Sequence, residues 1–256
     1  MQEMCYTVRN SKERSFVMFG LGTIINVVAI VLGGILGMLF GKLMKERHQD
    51  ALSKACGICV LFVGIGGALE GMLTVSDGGV VSGGSLLIIG CLAIGAFIGE
   101  LLDLEGLLER FGCWLKVKTG NSKDRMFVEG FVTASLTVCI GAMAVVGAIE
   151  DGLTGDYSIL LTKSILDLII IVVMTSSMGK GCAFSAIPVG IFQGTFTVLA
   201  VLIKPILTAT ALSNLSMVGS ILIFCVGINL VWGKKIRVAN MLPSIVFAVA
   251  AAFLPF

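Results

Sequence analysis

The chain has 256 residues, of which 57% are hydrophobic and only 13% charged, and its mean hydropathy is +1.04; soluble domains carry charge on about a quarter of their residues. Lys and Arg number 18 against 16 Asp and Glu, a net charge of +2, which gives no support to nucleic-acid binding. A bilayer crossing takes about 20 apolar residues, so the length fits around eight spans with short connections and leaves little for a separate soluble domain.

The apolar stretches predict spans at 18–40, 52–70, 84–102, 127–149, 158–178, 183–203, 214–232 and 239–256, the last short and carrying Pro243. The expected fold is all-α, a polytopic transmembrane helix bundle in which residues 18–256 form one integral membrane domain and residues 1–17 an N-terminal extension. That extension lacks the separate hydrophobic core and cleavage site of a signal peptide.

Charge gives the orientation. The first, third, fifth and seventh connections hold 13 basic residues, among them Lys42, Lys45, Arg47, Arg110, Lys116, Lys180, Lys234 and Arg237, whereas the even connections hold only Lys163 and Lys204 beside Glu70, Glu150, Asp151 and Asp156. The rule that cytoplasmic loops are basic places the loops near 42–54, 103–126, 179–182 and 233–238 inside a plasma (inner) membrane. Arg9, Lys12 and Arg14 conflict with an external N-terminus. Residues 101–115 continue the third span as an amphipathic helix suited to the cytoplasmic interface.

Glycines cluster within spans, and Gly37/Gly41, Gly67/Gly71 and Gly95/Gly99 have the GxxxG spacing that lets helices approach closely in lipid. This predicts a compact bundle and is compatible with a homo-oligomer. The second span (Val60 to Ile65), the fourth (Thr137 to Ala142) and the seventh (Ile223 to Ile228) resemble one another, with the seventh running opposite to the other two. Duplication with inversion and chance similarity among apolar helices are both open.

Polar residues inside spans are costly, which makes Asp167 the leading candidate site residue, with Lys163 one helical turn away to neutralise it. The two readings are a structural ion pair and an ion or proton site facing a wet cavity. Asn26, Gln193 and Asn229 are the amides expected to point inward, while most Ser and Thr bond to their own helix backbone. The segment from Gly179 to Gly194, with Ser185, Pro188 and two further glycines between its ends, reads either as an interrupted helix lining a site or as a tight turn before a kinked helix. Cys56 and Cys59 form a CxxC with no second pair or His beside it and read as packing residues. No catalytic set, metal-spaced cluster or cofactor motif is present, so no enzyme activity, metal or cofactor is expected.

Several of these segments carry a family likeness: Gly22-Thr23-Ile24-Ile25-Asn26, Gly99-Glu100-Leu101-Leu102-Asp103-Leu104-Glu105-Gly106, Glu129 to Ser135, Gly141 to Ala144, Glu150-Asp151-Gly152-Leu153, Lys163 to Asp167, Phe184 to Pro188, and Gln193-Gly194. In these the chain resembles the YqgA/YdfK-like family of prokaryotic membrane proteins of unknown function, over residues 18–256. The resemblance implies a multi-pass plasma-membrane protein and supplies no activity, substrate or catalytic residue.

Two functions compete on the sequence. One is a small-solute or ion transporter in which Asp167 is the ion or proton carrier, Asn26 and Gln193 are polar ligands, and the fourth, fifth and sixth spans border the cavity. The other is a non-transporting membrane sensor, regulator or assembly component. A hydrated cavity shared by Asp167 and the Pro188 segment favours the first; a dry, fully paired Asp167 favours the second.

Overall fold

The computed structural model describes residues 20–76, 79–206 and 208–253, so the extension at 1–17 lies outside the described residues. Helix α1 (Leu21–Leu43) and helix α2 (Glu46–Met72) are joined by two extended residues, Met44 and Lys45, and Gln49 Nε2 donates to the Gly41 carbonyl at 2.9 Å to close the turn. A small antiparallel hairpin, β1 (Leu73–Ser76) and β2 (Gly79–Ser82) with Leu73 opposite Ser82, fills the second connection. Then come α3 (Ser85–Leu102), α4 (Leu104–Lys118), α5 (Phe127–Cys139), α6 (Ala142–Thr154) and α7 (Ser158–Met178). A 3-10 turn (Lys180–Ser185) precedes α8 (Ala186–Val198), α9 (Ala200–Ile203) and α10 (Ala209–Trp232), and a second 3-10 turn (Val238–Met241) precedes α11 (Pro243–Ala251).

Among the described residues six helices are long and apolar enough to cross a bilayer, and the number is seven when α5 and α6, bent by 62° at a break, are counted as one span. The eighth predicted span is corrected: among the described residues it is a shorter apolar helical segment, Val238–Ala251, about 21 Å of helix against about 30 Å of hydrocarbon. Pro243 opens α11 instead of interrupting it, because a first-turn residue has no intrahelical donor to lose. The same logic settles the Pro188 segment. Pro188 is the third residue of α8, and the stretch before it is the tight turn, pressed onto α5 so closely that a Cβ on Gly181 would fall 1.9 Å from the Phe127 carbonyl oxygen. The interrupted span is instead the fourth, parted at Ile140 and at Gly141 (φ +149°).

Packing follows the glycines. A Cβ on Gly37 would come within 2.6 Å of the Val172 oxygen on α7, one on Gly71 within 2.5 Å of Met217 on α10, and one on Gly95 within 2.3 Å of the Ser244 nitrogen on α11. All three GxxxG pairs therefore serve contacts within the chain. Along α2 and α10 the partners run in opposite directions, Gly57 against Val231, Gly64 against Phe224 and Gly71 against Met217. The two aligned repeat segments meet there reciprocally: Gly64 sits on Phe224, and Gly227 sits on Leu61, which is the counterpart of Phe224. That is the contact a local two-fold produces. The fourth-span copy does something else, since its glycine is the helix break. Large apolar side chains such as Val28, Leu32, Phe62, Phe97 and Ile169 point outward, as a lipid-facing surface requires.

Candidate functional site

Helix α1 buries a stripe of Gly22, Asn26, Ala29, Gly33 and Gly37, spaced at the helical repeat. It lies parallel to α7, with Gly22 against Leu160, Gly33 against Ile171 and Gly37 against Thr175. Glycines on both sides of Asn26 bring the two backbones close enough for a short amide to cross the seam. On α7 the buried stripe is Leu160, Lys163, Ser164, Asp167, Ile171 and Met174, and on α8 it is Ala186, Val189 and Gln193.

These three faces converge. Lys163 Nζ donates to Asp167 Oδ1 and Oδ2 at 2.7 and 2.6 Å, Asn26 Nδ2 donates to Asp167 Oδ2 at 3.0 Å, and the same Nδ2 donates to Gln193 Oε1 at 3.3 Å. Asn26 and Gln193 are fully buried, and Asp167 and Lys163 are 3% and 8% exposed. Asn26 must turn its amide nitrogen to a carboxylate that only accepts, and Gln193 must then offer its oxygen to that nitrogen. What remains is one buried acceptor, Asn26 Oδ1, and one buried donor, Gln193 Nε2, neither with a protein partner. Neither cavity described below is lined by Asp167, and with both side chains this deeply buried the pair is enclosed.

The other sequence candidates sit elsewhere. Asn229 organises the turn after α10, accepting from the Lys235 and Ile236 amides at 2.8 and 2.9 Å and donating to the Ile236 carbonyl at 2.7 Å. Ser185 donates to the Cys182 carbonyl at 2.7 Å, and Pro188 shapes the start of α8. The hydroxyls of Ser135, Thr137, Ser164, Ser176 and Thr195 bond to carbonyls four residues back, as expected.

The broken fourth span lies beside the quartet. Gly147 on α6 packs on Leu160, and five residues toward its N-terminus, some 7.5 Å deeper, α6 begins at the level of Lys163 and Asp167. Cys139, the last residue of α5, is within electrostatic reach of both charges. A cavity of about 640 Å³ opens at the basic end of the bundle between Asp50, Glu109, Glu129 and Lys234 and deepens to Thr133 and Leu136, one helical turn short of Cys139. A smaller hollow of about 400 Å³ at the opposite end is bordered by Glu150, Asp156 and Lys204.

Two buried acids escaped sequence reasoning. Asp151 on α6, fully buried, accepts from the Gly22 amide at 3.0 Å and the Gly20 amide at 3.3 Å, so it caps the positive end of α1 from another helix. Glu105 on α4, 2% exposed, takes Lys234 Nζ at 2.7 Å and the Ala239 amide at 3.3 Å. Around Glu105 the turn after α10 is latched to α3 and α4: Lys234 also binds Glu109, Arg237 binds Glu100 and Asp103, and Asn240 binds Glu100 while accepting from the Glu105 amide at 2.7 Å. Hydrogen bonding to Asp103, reinforced by Glu100, raises the Arg237 guanidinium above its ordinary pKa. Burial pulls Lys234 down, but Glu105 and Glu109 outweigh it and leave the ammonium raised. No local signal distinguishes Glu105 from Glu109, because their shared partner arrives more than a hundred residues later.

With this geometry in place, the family comparison is decisive for kinship. The model of a protein family described as "Protein of unknown function (DUF554)" matches residues 21–253. The chain belongs to this family. Among its relatives, the "Uncharacterized membrane protein YdfK" of Bacillus subtilis (strain 168) is 33% identical over 91% of this chain and 95% of its own length. The "Uncharacterized protein YqgA" of Escherichia coli (strain K12) is 29% identical over 89% of this chain and 94% of its own length. No solved structure matches. In this DUF554 member the segments quoted for the resemblance meet in space: Gly22 with Asp151, Asn26 with Asp167 and Gln193.

Proposed function

We propose that this multi-pass membrane protein is a small-solute or ion transporter of the plasma membrane, with its basic end in the cytoplasm and Asp167 as the ion or proton site. The observation that carries the reading is the buried convergence of Asn26, Lys163, Asp167 and Gln193 from three helices. Stability alone gives no reason for it, since a buried ion pair is often replaceable by apolar side chains at no cost. In a bilayer such groups mark pathways. The neighbouring break supplies a half-helix end, as transporter sites commonly do. The cavity from the basic end stops a helical turn short of Cys139, and Asp151 fastens α1 to α6 on the other side. This is the arrangement of a closed state open partway to the cytoplasm.

A non-transporting membrane component remains the second reading, favoured by the enclosure of Asp167 and by the latch at the basic end. It expects substitutions at Glu100 to Arg125 or Lys42 to Lys54 to outweigh those at Asp167.

The test is uptake by proteoliposomes of a panel of labelled solutes and ions, with Asp167→Asn beside the wild type. The transport reading expects wild-type flux of at least one solute class and its loss in the variant. Equal flux in both removes Asp167 from the mechanism, and no wild-type flux across the panel contradicts transport.

A further inference from the structure

Resting on that transport reading, we infer that the solute is a small amino acid, a zwitterion with a primary ammonium, which inserts into the Lys163–Asp167 pair so that its ammonium lies on Asp167 and its carboxylate on Lys163. The ion at Asp167 is then the solute's own ammonium. Asp167 already holds such a group on both carboxylate oxygens, because Lys163 Nζ is itself a primary ammonium. An amino acid replaces that group like for like, and its carboxylate gives the displaced Nζ a new anion. One buried ion pair becomes two, and no unpaired charge is left in a low-dielectric interior.

The same charge balance disfavours other solutes. A lone cation on Asp167 would strand the Lys163 ammonium, and a lone anion on Lys163 would strand the Asp167 carboxylate; both side chains are deeply buried, where an uncompensated charge is strongly unfavourable. A neutral sugar or alcohol would have to part the pair while offering neither charge in return.

The two unpartnered atoms are complementary to a zwitterion. Asn26 Oδ1 is a buried acceptor without a donor and Gln193 Nε2 a buried donor without an acceptor, and both belong to amides in the hydrogen-bonded chain that ends on Asp167. An ammonium on Asp167 carries three N–H donors, enough to serve Asn26 Oδ1 as well, and a carboxylate has lone pairs for both Lys163 Nζ and Gln193 Nε2. One incoming molecule thus supplies the donor and the acceptor that the quartet lacks.

The approaches carry both signs too. Arg125 and Lys234 line the cavity at the basic end with Glu109 and Glu129, and Lys204 borders the hollow at the opposite end with Glu150 and Asp156. Neither mouth is lined by a single sign of charge, the arrangement that would select a simple cation or anion. The quartet lines neither cavity, so the solute takes only the space that movement of these side chains frees, which favours the smallest amino acids.

Proteoliposome uptake of labelled glycine, L-alanine and β-alanine tests this against three unlabelled competitors: ethanolamine, an ammonium without the carboxylate; propionate, a carboxylate without the ammonium; and betaine, a zwitterion without an N–H. At least one of the three amino acids is expected to enter vesicles holding the wild type and not empty ones, and no competitor to inhibit at concentrations where the same amino acid, unlabelled, does. Gln193→Met removes the idle donor and keeps the bulk, so KM should rise about tenfold or more with kcat little changed; a merely structural Gln193 would lower the amount of active protein and leave KM alone. No uptake of any of the three amino acids, inhibition by any competitor as strong as by the amino acid itself, or an unchanged KM in Gln193→Met overturns the inference. The competition pattern is measured on the wild type and decides whether or not that variant folds. Uptake of other solutes or ions by the same vesicles shows that the transport reading has survived its failure.

Discussion

Two close-packed helix pairs run through this bundle, and they use the same device for different ends. Between α2 and α10 the glycines Gly57, Gly64, Gly71 and Gly227 let backbones meet a mostly apolar partner face. Between α1 and α7 the glycines Gly22, Gly33 and Gly37 do the same, yet the gap between Gly22 and Gly33 is filled by Asn26 reaching an Asp167 paired with Lys163. Close approach through small residues is what stabilises helices in lipid. Polar groups add little to that, so a buried charged pair on only one of the two seams separates scaffold from working part.

The sharpest way to break the comparison is steric. Gly64→Val on the α2–α10 seam should prevent recovery of folded protein in detergent, at a cost of more than about 4 kcal/mol, because even a Cβ there would lie 2.5 Å from the Phe224 backbone nitrogen. Gly37→Val should do the same on the other seam, since packing matters equally in both. Next comes the electrostatic difference. Lys163→Met leaves Asp167 buried without its cation and should cost about 3–5 kcal/mol, whereas Lys163→Met with Asp167→Leu should recover most of that loss, as thermal unfolding in detergent will measure. A double variant no more stable than the single would mean that the pair is structural.

Smaller effects are expected at the latch. Lys234→Ala exposes Glu105 to an unpaired burial relieved by nearby water, about 1–2 kcal/mol. The Lys234 ammonium is raised, so its contribution is fully present below the ordinary lysine value and is lost only as pH climbs through the raised one; unfolding midpoints of wild type and Lys234→Ala should converge in that alkaline range and not between neutral pH and mild acid. The smallest effect belongs to Gly66→Ala, where an added Cβ meets nothing within 4 Å and the change should stay within about 0.5 kcal/mol.

Much of this was legible before the structure because lipid imposes simple rules. Helix lengths follow from apolar runs, and α1, α2, α3, α7 and α10 stand near their predicted places. Lys163 and Asp167 were paired by helical spacing alone, and Asn26 and Gln193 stood out as amides among apolar neighbours. The Pro188 segment stayed open between a break and a turn because proline's cost depends on where its helix starts, and the turn clamped to α5 starts α8 two residues before Pro188. Gly141 carried no comparable flag. Asp151 and Glu105 were hidden because a loop acid and a buried cap differ only in a partner 129 or more residues away in sequence.

The most direct measurement joins stability to flux in one protein: the Lys163→Met, Asp167→Leu variant, unfolded in detergent and assayed in proteoliposomes beside the wild type. A bundle that melts close to the wild type but moves none of the solutes or ions the wild type moves is the expected result. A variant that folds as well and transports as fast would contradict the claim that these side chains are there for transport.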